Sequence, residues 1–142
     1  MKEQNLKNHA RFITLWHRIL PGIILATLIG SIINLVESSE QNRYSASLIV
    51  VIILILCVYY WYLRAFPLKA QDRAIRAEEN LRHFMLTGVP LDRRLRMSQI
   101  VALRFASDEE FVSLSQRAVN ENLSGRDIKK QIKVWRADWD RV

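Results

Sequence analysis

Cysteine is almost missing from this 142-residue chain. Cys57 stands alone within an apolar stretch, which excludes an intrachain disulfide or a cysteine metal site and reads as a buried apolar thiol. His9, His17 and His83 are scattered and lack the carboxylate neighbours a metal site needs. Glycine and proline are scarce, with four and three copies, and the chain has neither an internal repeat nor a low-complexity run, so helix is the economical reading throughout. Also lacking are a glycine-rich phosphate loop, a nucleophile with its base, and a carboxylate pair in apolar surroundings. Glu78 and Glu79 are adjacent and point different ways on a helix. Nothing positive favours an enzyme, and no cofactor or metal is implied.

A further absence, that of charge, is confined to two stretches. From Ile19 to Val36, ILPGIILATLIGSIINLV, and from Tyr44 to Leu63, YSASLIVVIILILCVYYWYL, every residue is uncharged. A bilayer core about 30 Å thick needs roughly 20 helical residues, and each stretch fits. A buried soluble helix is seldom apolar on every face. Pro21 falls in the first turn, where its missing N–H costs nothing, and lipid enforces helix on the β-branched second stretch. Tyr59, Tyr60, Trp61 and Tyr62, with Arg64 just beyond, read as an interfacial anchor; Trp16, His17 and Arg18 do the same for the first span. A cleaved signal peptide fits poorly, because the apolar run is too long, a second span follows, and Val36, Glu37 and Ser38 make a poor cleavage site.

Orientation follows from the flanking cations. The arm 1–18 holds four (Lys2, Lys7, Arg11, Arg18), the connecting loop 37–43 holds Arg43 alone, and the chain from Arg64 onward holds sixteen. Both termini are therefore expected in the cytoplasm. On the first span Gly22, Ala26, Gly30 and Asn34 recur every four residues, a small-residue stripe suited either to the second span or to a second copy of the chain. Neither span carries an acid or a base, which argues against a transporter.

Past the spans the composition turns charged. Phe66 and Pro67 predict a kink or restart. From Leu68 to Leu86 the pattern is helical, with Ala70, Ala74, Ala77, Leu81 and Phe84 at spacings of four and three on one face and Lys69, Asp72, Arg73, Arg76, Glu79 and Arg82 on the others. That narrow seam suits close packing against another helix, in this chain or a second copy. Thr87, Gly88, Val89 and Pro90 predict the stop. A short helix is expected over 97–105, then one opened by a Ser107 to Glu110 capping box and running to about Asn122. A last helix, capped by Ser124 to Asp127, is expected to bury Ile128, Ile132, Trp135 and Trp139. Opposite that face stand Arg126, Lys129, Lys130, Lys133 and Arg136. A solvated surface, attraction to anionic lipid, and a helix-turn-helix contact with nucleic acid compete to explain them. Arg93, Arg94 and Arg96 form a second basic cluster, read as surface.

The stretches KAQDRAIRAEENLRHF, GVPLDRRL, QIVALRFASDEEF and DIKKQIKVWRADWDRV, together with KNHARF near the start, resemble a family of small bacterial membrane proteins known only as a domain of unknown function. That resemblance implies two spans and this tail in bacteria, and no activity or site residues. The expected architecture is all-α: a basic arm (1–18), a transmembrane hairpin (19–63, with spans 19–36 and 44–63 and an outer loop 37–43), and a cytoplasmic helical domain (64–142). The expected role is a non-enzymatic adaptor or oligomeric scaffold of the bacterial inner membrane, its partners the lipid bilayer, anionic lipid, and a protein or second copy. A membrane-tethered nucleic-acid binder is the alternative.

Overall fold

The computed structural model describes residues 4–6, 8–9 and 11–139, so Lys2 and Lys7, counted in the basic arm, lie outside the described residues. Among the described residues every regular element is a helix, and the one β feature is an isolated antiparallel bridge between Ala106 and Trp135. Its helices are α1 (Leu20–Glu37), α2 (Glu40–Thr87), α3 (Met97–Leu103), α4 (Asp108–Asn120) and α5 (Gly125–Gln131). Two compact units result: a hairpin over 12–66, and a helical domain that joins the chain from Pro67 onward to the segment ending at Arg11.

In the hairpin a π-helical turn, Leu15–Ile19, leads into α1. Pro21, at the start of α1, has no N–H to offer, and the Leu20 N–H reaches back five residues to the Leu15 carbonyl. Both α1 and α2 are long and apolar enough to cross a bilayer. Their less exposed positions are Ile24, Leu28, Ser31 and Leu35 on α1 and Ala46, Val50, Ile53, Cys57 and Tyr60 on α2, spaced by fours and threes. The Tyr60 hydroxyl donates to the Trp16 carbonyl at 2.7 Å, and the two rings stack 4.8 Å apart. Only Ser38 and Ser39 separate the helices, where seven non-helical residues were expected. The polar segment from Glu40 is helical instead, with Glu40 in the first turn where the helix dipole favours an anion.

Helix α2 runs unbroken through Pro67, so the expected restart is absent. Proline removes one backbone hydrogen bond and crowds one carbonyl, a local cost that the good helix formers Leu68, Lys69, Ala70 and Gln71 carry the helix across. The stop is as expected: Gly88 adopts φ +76°, and its N–H reaches the Phe84 carbonyl at 2.8 Å.

The domain core is built on Leu103, Phe105, Phe111 and Ile128, all fully buried. Gly125 begins α5 where α3 approaches closely: a Cβ there would stand 2.7 Å from the Ser98 carbonyl oxygen. The Ser124 hydroxyl caps α5 by accepting the Asp127 N–H at 3.2 Å. The Ser107 capping box does not form. Glu110, its expected acid, instead accepts the N–H groups of Lys133 and Val134, both at 3.0 Å. This interaction belongs to a second departure. Helix α5 ends at Gln131; Ile132 is extended and the chain then bends at Lys133 and Val134. It pairs with the segment before α4 through Arg136 N–H to the Phe105 carbonyl (2.8 Å) and Ser107 N–H to the Val134 carbonyl (3.1 Å). Ile132 still enters the core, but Trp135 does so from extended chain and Trp139 stays exposed.

Candidate interaction surfaces

Beyond Pro67, α2 turns an unexpected face inward. Ile75, Glu79 and His83 are buried, at spacings of four, with Arg82 largely covered beside them. Apolar counting alone places Glu79 and Arg82 in solvent; they enter because each finds its partners inside. Arg82 donates to Glu79 at 3.0 Å, to Asp108 at 2.6 Å and to the Ala106 carbonyl at 2.7 Å. Its guanidinium also lies 4.3 Å from the centroid of Phe111. Burial pushes the Glu79 carboxyl above its ordinary range, opposed by the Arg82 guanidinium and by Arg136, 3.9 Å away. His83 donates from Nδ1 to the Val89 carbonyl at 2.8 Å, and Asn80 accepts the Leu91 N–H at 3.0 Å, so the turn after α2 is held from the helix.

Gln99, 2% exposed, is a second buried polar anchor. Its side chain accepts the Arg96 N–H at 2.7 Å and donates to the carbonyls of Ala118 (3.0 Å) and Leu123 (2.9 Å), tying the start of α3 to the end of α4. Only its position in the short helix, three residues after Arg96, hinted at this in the sequence. The first residues belong to the same domain. The Gln4 side chain pairs with the Asp138 backbone, accepting its N–H at 2.8 Å and donating to its carbonyl at 3.2 Å. His9 lies against Phe105 and Trp135 and within 3.0 Å of Lys129 Nζ.

With the charged face inside, the apolar seam is left out. Ala70, Ala74, Ala77, Leu81 and Phe84 are all exposed, Leu81 at 61% and Phe84 at 49%. Among the described residues no other helix covers them. An open groove of about 940 Å³ shares Ala77 with the seam and is lined by Lys69, Asp72, Arg73, Arg76, Asp92 and Arg93 together with Leu91 and Leu95. Asp92 is matched by Arg94 at 2.7 Å, whose hydrogen bonds hold its carboxyl down to about 2.

The stripe on α1 is uncovered too: Gly22, Ala26, Gly30 and Asn34 are exposed, and a Cβ at Gly22 or Gly30 would meet nothing within 4 Å. Of the anchor residues, Trp16, Tyr60 and Arg64 are half-buried, while Arg18, Tyr59, Trp61 and Tyr62 are exposed, with Arg18 5.1 Å from the Phe12 ring centroid. The five cations do not share a helix face. Arg126, Lys129 and Lys130 lie on the seven-residue α5, whereas Lys133 and Arg136 follow it on non-helical chain. Lys130 pairs with Asp127 at 3.4 Å. Among the described residues no group of three or more His, Cys, Asp or Glu is placed to hold a metal ion.

The chain belongs to a family of unknown function, DUF6526, whose model matches residues 1–142. No curated protein and no solved structure matches it.

Proposed function

We propose that this protein is a non-enzymatic scaffold of the bacterial inner membrane, anchored by the α1–α2 hairpin and acting through the exposed helix faces of its cytoplasmic domain. The observation that carries the reading is that both apolar helices leave their large side chains uncovered, as with Ile23 at 58%, Leu25 at 59% and Ile52 at 55%. A water-soluble chain rarely exposes apolar surface on this scale. A second observation supports the topology. Gln4 and Asp138 are partners within one domain while the hairpin lies between them in sequence, which supports a chain that leaves and returns on the same side of the membrane. Sixteen cations from Arg64 onward favour the cytoplasmic side. Exposed small-residue faces on both units, on α1 and on α2 beyond Pro67, favour an oligomer over a lone anchor. Lys69, Arg76 and Arg93 along the groove suit anionic headgroups. Nucleic-acid binding is less favoured, since a two-turn α5 without Lys133 and Arg136 is a poor recognition helix.

A single cysteine at Ser39 in a Cys57→Ser background tests the topology. An impermeant maleimide applied to intact cells is expected to label it. Labelling only after permeabilisation overturns the reading, as does release of the protein from membranes by alkaline carbonate.

A further inference from the structure

We propose that Ala70, Ala74, Ala77, Leu81 and Phe84 form the core of a parallel two-stranded coiled coil with a second copy of this chain, its register set by Arg73 of each copy meeting Glu78 of the other. This rests on the scaffold reading and names its partner. The seam residues alternate by four and three, so they occupy successive d, a, d, a and d positions of a heptad repeat. That assignment puts Arg73 at g and Glu78 at the e position of the following heptad. These are the two positions that meet across a parallel pair, and two-fold symmetry makes the contact twice. Both residues are exposed, and among the described residues neither forms an ion pair within its own chain. An antiparallel pair sets g against g and e against e, bringing Arg73, Asn80 and Thr87 to their own kind and leaving Glu78 among Gln71 and Met85.

Charge complementarity thus selects both a second copy and its direction. The alanines permit close backbone approach, and Leu81 and Phe84 supply the apolar area. Fifteen residues are about 21 Å of helix, too little to associate firmly in dilute solution. Chains held in one membrane meet at a much higher effective concentration, and hairpins inserted the same way present their helices in parallel.

The test uses the full-length protein in its membrane, with Cys57→Ser as background. Single cysteines at Ala74, Ala77 and Leu81 are oxidised in turn, with Arg76→Cys on the same helix as the control. Dimer bands at all three seam positions and none at Arg76 are expected. Arg73→Glu should abolish the Ala77 band, and Arg73→Glu with Glu78→Arg should restore it. A band at one seam position alone, as an antiparallel crossing gives, overturns the proposal, as do equal bands at all four positions. The mass of the detergent-solubilised protein separates the remaining outcomes. Seam cysteines that fail to cross-link in an oligomeric protein overturn this interface and leave the scaffold reading standing on another face. A strictly monomeric mass overturns both.

Discussion

On one side of α2 beyond Pro67 lie Ile75, Glu79, Arg82 and His83, drawn into the domain; on the other lie Ala70, Ala74, Ala77, Leu81 and Phe84, left in the open. By hydropathy the assignment is backwards, and the inversion shows how this helix divides its work. The inner face is held by matched polar groups with few neighbours to spare. The outer face carries small and apolar side chains that stay exposed among the described residues. A buried ion pair adds little net stability over a well-packed apolar pair but strongly penalises any arrangement that separates its members. It therefore fixes which face of α2 the domain receives, and the apolar face is available for something else.

The comparison breaks most readily at Arg82. Arg82→Ala leaves Glu79 buried with Arg136, 3.9 Å away, as its remaining ion-pair partner among the described residues, and it removes the contacts to Asp108 and Phe111. The expected loss is about 3–5 kcal/mol, read from thermal or denaturant unfolding in detergent. Replacing both members, as Glu79→Leu with Arg82→Met, should recover most of it. If the double variant is no more stable than Arg82→Ala, the pair is not what orients α2.

A subtler effect follows from the raised pKa of Glu79. A carboxyl whose folded value lies above its ordinary value near 4.5 binds its proton more tightly when folded. Its contribution to stability is therefore greatest below pH 4.5 and falls as pH rises from there through the raised value. Glu79→Gln should flatten that segment of the stability profile, and an unchanged slope assigns it to other groups. Asp92 has the opposite sign, its contribution being present above its ordinary 3.8 and lost as pH falls through about 2, so the two windows do not overlap.

Much of the architecture was legible because it is local. Uncharged length gave the two apolar helices, Gly88 and Pro90 the end of α2, and Ser124 the start of α5. What escaped was set by contacts distant in sequence. Glu110 looked like a capping acid until Lys133 and Val134 claimed it, and the extended pairing that places those N–H groups also ends α5 early. Glu79 and Arg82 looked like surface because each partner is invisible to a pattern of apolar spacing. The seam was legible as one face of a helix, and among the described residues the structure leaves that face exposed.

The smallest effect expected of an isolated chain is the most informative about that face. Leu81→Gln alters a side chain that is 61% exposed, so the dilute protein should unfold within about 0.5 kcal/mol of the wild type. A covered seam behaves differently. Association stabilises the folded state by mass action, so the wild-type melting temperature should climb as the protein-to-detergent ratio rises. The Leu81→Gln variant should lose that climb while keeping its dilute melting temperature. If both proteins climb alike, the outer face of α2 is solvent surface after all. If the variant is also much less stable when dilute, Leu81 is covered within its own chain and the division between the two faces fails.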